Sequence, residues 1–88
     1  MQRSLKSDQI RAARALLRWS AEDLARESLV GVATIRRAEL TAGESSMTAA
    51  NDLAVRRALE AAGVEFIDEN GGGPGVRLRK SRQRAKRK

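Results

Sequence analysis

Arg36 and Arg37 stand side by side in the run Val32-Ala33-Thr34-Ile35-Arg36-Arg37-Ala38-Glu39-Leu40. If this run is helical with Ile35 and Ala38 turned inward, the 3.6-residue period turns Val32, Ala33, Arg36 and Arg37 outward together. That set has a definite chemistry. An arginine fork donates two parallel hydrogen bonds to O6 and N7 of guanine, and small apolar groups fit the methyl of thymine. Thr34 and the backbone amides near Gly31, at the start of the helix, suit a phosphate, helped by the helix dipole. A solvated helix face is the plainer reading of the same arginines, and these residues alone leave both open.

Other chemistries have little to work with. The chain has no histidine and no cysteine. This removes the usual general base, the Ser-His and Cys-His pairs, cysteine-based metal sites and any disulfide framework. The acids Glu44, Glu60, Glu65, Asp68 and Glu69 are not paired by any motif, and a chain of 88 residues has little room for a concave site. An enzyme is therefore not expected, nor a cofactor, a metal or a small-molecule ligand. Gly71-Gly72-Gly73 lacks a following Lys-Ser/Thr pair and opens no helix, so it is expected to be a flexible hairpin tip rather than a nucleotide loop.

Charge divides the chain unevenly. Of the 18 Lys and Arg, eight lie between Arg77 and Lys88, where there is no acid, leaving ten against all 11 acids elsewhere. Most of the net charge of +7 thus sits in the last residues. Residues 80–88 are expected to be disordered, as a solubilising end or as a tether to a polyanion. No apolar run approaches the roughly 20 residues of a membrane span. A cytoplasmic location without membrane contact is expected.

The arginines need elements to present them. Residues 1–6 are expected to form a flexible arm. Ser7 would cap a first helix over residues 7–17, with Ile10, Ala13, Leu16 and Leu17 on its apolar side. Ser20 would cap a second, with Glu22 and Asp23 in its first turn and Leu24 and Ala25 inside; it ends near Ser28. Leu29-Val30-Gly31 is a turn, and a third helix runs from Val32 to about Leu40. A fourth, over about 49–62, is capped by Thr48 and ended by Gly63, with Val55, Ala58, Leu59 and Ala62 as its stripe. Val64–Ile67 and Val76–Arg79 alternate as two strands of a hairpin. The expected fold is mainly α: about four short helices containing a helix-turn-helix, then a small β-hairpin and a basic tail. Trp19 is expected to anchor the core between the first two helices. Arg56 and Arg57 fit solvent or a phosphate equally well.

Residues 7–62 resemble the Cro/C1-type (XRE-like) helix-turn-helix family of phage and bacterial regulators. The resemblance is carried by Ile10-Arg11-Ala12-Ala13-Arg14, Trp19-Ser20, Asp23-Leu24-Ala25 and Ala33-Thr34-Ile35-Arg36-Arg37-Ala38-Glu39. The run Arg56–Phe66 resembles a branch in which the last helix feeds a short strand. The resemblance implies a homodimer on a palindromic double-stranded DNA operator, with half-sites roughly 34 Å apart. It implies base contacts from Val32, Ala33, Arg36 and Arg37, and phosphate contacts from Ser20 and Ala21. It also implies an ion pair between Arg14 and Glu39. Leu29 stands where the family has its turn glycine, and Gly31 where it has a Ser or Thr cap.

The expected function is sequence-specific transcription regulation, repressing or activating according to promoter position, in a bacterial or phage setting. The dimer would form through the hairpin strands or the fourth helix. Two alternatives belong to other classes. An antitoxin-type interaction module would carry an acidic or amphipathic wrapping segment, whereas this chain ends in basic residues. A non-specific nucleic-acid binder would act through the tail.

Overall fold

The chain enters its first helix from an extended segment. Leu5 and Lys6 run antiparallel to the loop at residues 43–45, with Ser45 N–H donating to the Leu5 carbonyl at 3.2 Å and Ser7 N–H to the Gly43 carbonyl at 2.8 Å. The computed structural model describes residues 4–79. Helix α1 (Ser7–Leu17) is capped by Lys6, whose N–H donates to Gln9 Oε1 at 3.0 Å. This corrects the expected cap: Ser7 lies inside the helix, and its hydroxyl donates sideways to the Ala38 carbonyl at 2.6 Å. The expected arm is corrected too. Leu5 is fully buried, and its N–H donates to Asp52 Oδ1 at 3.0 Å. Only residues 1–3 of that segment lie outside the described residues, as does the tail at 80–88.

Ile10 and Ala13 of α1 are buried, Leu17 packs against them, and Leu16 faces outward, 40% exposed. Helix α2 (Ala21–Ser28) opens with a reciprocal box: Ser20 Oγ accepts from Asp23 N–H at 3.0 Å, and Asp23 Oδ2 accepts from Ser20 N–H at 2.9 Å. The Ser20 N–H comes first among the causes holding the Asp23 carboxyl below its usual range, ahead of Arg26. Helix α3 (Val32–Leu40) packs on α2, with Leu24, Val30 and Ile35 buried in the core and Ala25 half-buried against it. Helix α4 (Ala49–Ala61) is capped by Thr48, whose Oγ1 accepts from Asn51 N–H at 3.1 Å. It buries Val55 and Leu59.

Strands β1 (Val64–Ile67) and β2 (Gly75–Leu78) pair antiparallel, Val64 opposite Leu78 and Phe66 opposite Val76. Val64 is buried, and Phe66 and Val76 pack against the helical core. On the other face Arg77 and Glu65, directly opposite, form an ion pair of 2.7 Å. Gln9 of α1 pins the far end, donating from Nε2 to the carbonyls of Gly75 at 3.1 Å and Ile67 at 3.3 Å. A lone hairpin is weak in water, and this one is stabilised by the helices. At its tip Glu69 Oε2 accepts from Gly71 N–H at 3.0 Å and Gly73 N–H at 2.9 Å. Among the described residues no helix is long and apolar enough to cross a membrane.

The turn between α2 and α3 carries a local cost. Leu29 sits in the left-handed region (φ 62°, ψ 28°) with its side chain 91% exposed. A Cβ destabilises that conformation, and no packing offsets it here. Replacing Leu29 by glycine raises stability by about 0.5–1 kcal/mol after the added flexibility of the unfolded chain is counted. A thermal melt then shifts upward by roughly 2–8 °C. A lower melting temperature would mean that Leu29 contributes a contact the geometry does not show.

Candidate nucleic-acid interface

Helix α3 presents its face because its opposite face is held down. Ile35 and Ala38 are 1% and 2% exposed. Ala33, Arg36 and Arg37 point to solvent as the period requires. Val32 does not. It is half-buried against the core, because it stands three residues before Ile35 and so shares the inner stripe. Leu40 completes the outer stripe at i+7 from Ala33 and is 86% exposed. Leu40 is expected from the sequence only as a helix end; its seven-residue spacing from Ala33 is the signal that puts it on this stripe.

The two arginines differ in state. The Arg37 guanidinium has no side-chain partner among the described residues. Arg36 is engaged across the gap to α2, where its Nη2 donates to Glu22 Oε2. Glu22, expected from the sequence only as an acid in a first turn, is thereby one of the groups that set the face.

Arg14 and Glu39 fix the register of α3 against α1. Arg14 Nε donates to Glu39 Oε2 at 2.7 Å and its Nη2 to Oε1 at 2.8 Å, a two-pronged pair. Nη1 donates to the Trp19 carbonyl at 2.8 Å, so one guanidinium ties α1, the α1–α2 turn and α3 together. Trp19 itself is half-buried against the core. The hydrogen bonds from Arg14 to Glu39, outweighing burial and reinforced by the Glu39 charge, hold the Arg14 guanidinium above its ordinary value. Arg11 adds a bond from Nη1 to the Glu39 carbonyl and one from Nη2 to Asp8.

The four residues expected at phosphates fall into two pairs. Ser20 is exposed, but its N–H and its Oγ are both engaged with Asp23. Ala21 is 8% exposed and has no polar side-chain atom. The Glu22 carboxyl lies below its usual range, held first by its own backbone N–H and then by Arg36. The positive end of α2 is thus already met by the carboxylates of Glu22 and Asp23. At α3 the situation is reversed. Gly31 is an exposed N-cap without a side chain, Thr34 is half-buried, and no acid stands in the first turn. The first amides of α3 have no intrahelical acceptor, so this is the helix end that can receive an anion.

A shallow cavity of about 300 Å³ lies beside the face, lined by Arg11, Arg14, Ala21, Arg36, Glu39 and Leu40. Each arginine on it is answered by an acid of the same chain. Arg56 and Arg57 separate as well. Arg57 is exposed, whereas Arg56 is buried, lies 5.0 Å from the centre of the Phe66 ring and pairs with Glu60 at 3.5 Å. Arg56 therefore joins α4 to the hairpin and fits neither the solvent nor the phosphate reading. Among the described residues no group of three or more Asp, Glu, His or Cys could hold a metal ion. No protein-family model matches the chain, and no curated protein matches it in sequence.

Proposed function

We infer that this protein is a sequence-specific, double-stranded DNA-binding regulator of transcription acting in the cytoplasm. Helix α3 enters the major groove. Arg37 and Arg36 donate to guanine edges, and Ala33 meets a thymine methyl. The amides at Gly31 and the start of α3, with Thr34, take a backbone phosphate. Val32 supports the helix from beneath. The observation that carries this reading is the outward stripe of Ala33, Arg36 and Arg37 on a helix whose inner face is buried and whose register is locked by Arg14 and Glu39. A helix held this firmly presents its side chains at fixed spacing, which base readout requires.

The protein acts as a homodimer on a palindrome, repressing or activating according to where the site lies. The test is selection from a random duplex library at near-physiological salt, with wild type beside Arg37→Ala and Arg36→Ala. The expected outcome is an enriched palindrome with half-sites roughly 34 Å apart. Arg37→Ala weakens binding to it by about 1–3 kcal/mol and relaxes preference at one base pair of each half-site. Recovery of duplexes without a motif would make the protein a non-specific polyanion binder instead.

A further inference from the structure

Glu22 stands in the first turn of α2 and satisfies the same kinds of group that a DNA phosphate satisfies. It accepts from the guanidinium of Arg36. In that first turn the positive end of the α2 helix dipole favours an anion. Its charge also acts on Arg14. The pair with Arg36 is open to exchange, the two side chains being 58% and 55% exposed.

We propose that Glu22 is a specificity-determining residue, an internal phosphate mimic that withholds Arg36 from the DNA backbone and yields it to a guanine edge. This deepens the reading of α3 as a base-reading helix and rests on it. The ordering follows from magnitudes. An exposed ion pair is worth less than about fivefold in affinity. A single phosphate contact is an interaction of the same kind, so Arg36 gains nothing by leaving Glu22 for it. A bidentate guanine contact is worth about five- to 150-fold, and it does displace Glu22. On random sequence Arg36 stays folded back, and on its site it turns outward.

The experiment compares the full chain with Glu22→Gln and Glu22→Gln/Arg36→Ala, measuring binding to a labelled random-sequence duplex and to the selected duplex across a salt series. On the random duplex, Glu22→Gln is expected to bind roughly two- to fivefold tighter. Its log K against log salt should steepen by about 0.9, the signature of one added phosphate contact. The added slope should vanish in the double variant and be absent on the selected duplex. A role for Glu22 in stability alone would shift the melting temperature and leave the slope where it was. A wild-type slope in Glu22→Gln, or an added slope that survives removal of Arg36, overturns the proposal while leaving the DNA reading intact. Failure of the wild type to bind any duplex withdraws that reading, and the proposal with it.

Discussion

Replacing Glu39 by alanine lowers the stability of the fold by about 3 kcal/mol, because it leaves the Arg14 guanidinium partly buried without its carboxylate. The geometry separates this pair from the other ion pairs of the chain. Glu39 is 8% exposed and Arg14 22%, against more than half for both members of the Arg36–Glu22 pair. An exposed pair is worth under about 1 kcal/mol, because water screens it and two long side chains lose freedom to form it. A two-pronged, buried pair is costly to break on one side, since the remaining charge keeps its desolvation and loses its partner. For a domain of this size the loss appears as a fall in melting temperature of roughly 12–24 °C. Arg14→Ala has a similar effect, with the Trp19 carbonyl losing its donor as well. The apolar double variant Arg14→Met/Glu39→Leu recovers much of the loss, because it removes both charges together. A fall of under about 1 kcal/mol in Glu39→Ala, read by urea titration, would return the pair to the surface class.

Ile35→Ala costs about 2–5 kcal/mol through lost burial and the cavity left behind, and Ile35→Val about 0.5–1.5 kcal/mol. Ile35 is 1% exposed beneath the α2–α3 crossing and belongs to the single core that runs from Leu5 to Val64. It is the inward counterpart of Ala33, Arg36 and Arg37, so its loss unseats the face as well as the fold. On the proposed DNA-binding reading, affinity should therefore fall in Ile35→Ala, although the residue faces the core, and should recover in Ile35→Val. Equal binding by Ile35→Ala and wild type, with the stability loss confirmed by denaturant titration, would mean that the seat of α3 does not set the interface.

The elements themselves were legible in the sequence. Apolar spacing in Ile10, Ala13, Leu16 and Leu17, of which Leu16 alone turns outward, the caps Ser20 and Thr48, and the stop at Gly63 are local signals, and the helices begin and end where those signals stand. The inward turn of Ile35 and Ala38 and the alternation of the hairpin are equally local. The pairing of Arg14 with Glu39 was implied by the family resemblance, because spacing alone cannot bring together side chains on two separate helices.

The misreadings share a cause. Ser7 has the chemistry of a cap, and the loop at residues 43–45 decided otherwise by pairing with Leu5 and Lys6. Leu5 falls within the segment expected to be an arm, yet Asp52, 47 residues away, accepts from its N–H in the interior. Arg56 looks like surface charge until the hairpin lays Phe66 beneath it. Val32 is the exception: its place on the inner stripe of α3 follows from its three-residue spacing to Ile35, a signal already present in the sequence.

By itself the sequence determined which segments are helices and strands, which faces are apolar, and which helix carries paired arginines, because propensity and period act over a few residues. Tertiary structure alone decided which charges are free. Arg37 and Arg36 are adjacent in the chain and chemically identical, and they differ only because α2 brings Glu22 to one of them. An ion pair depends on distance in space, which the local chain does not encode.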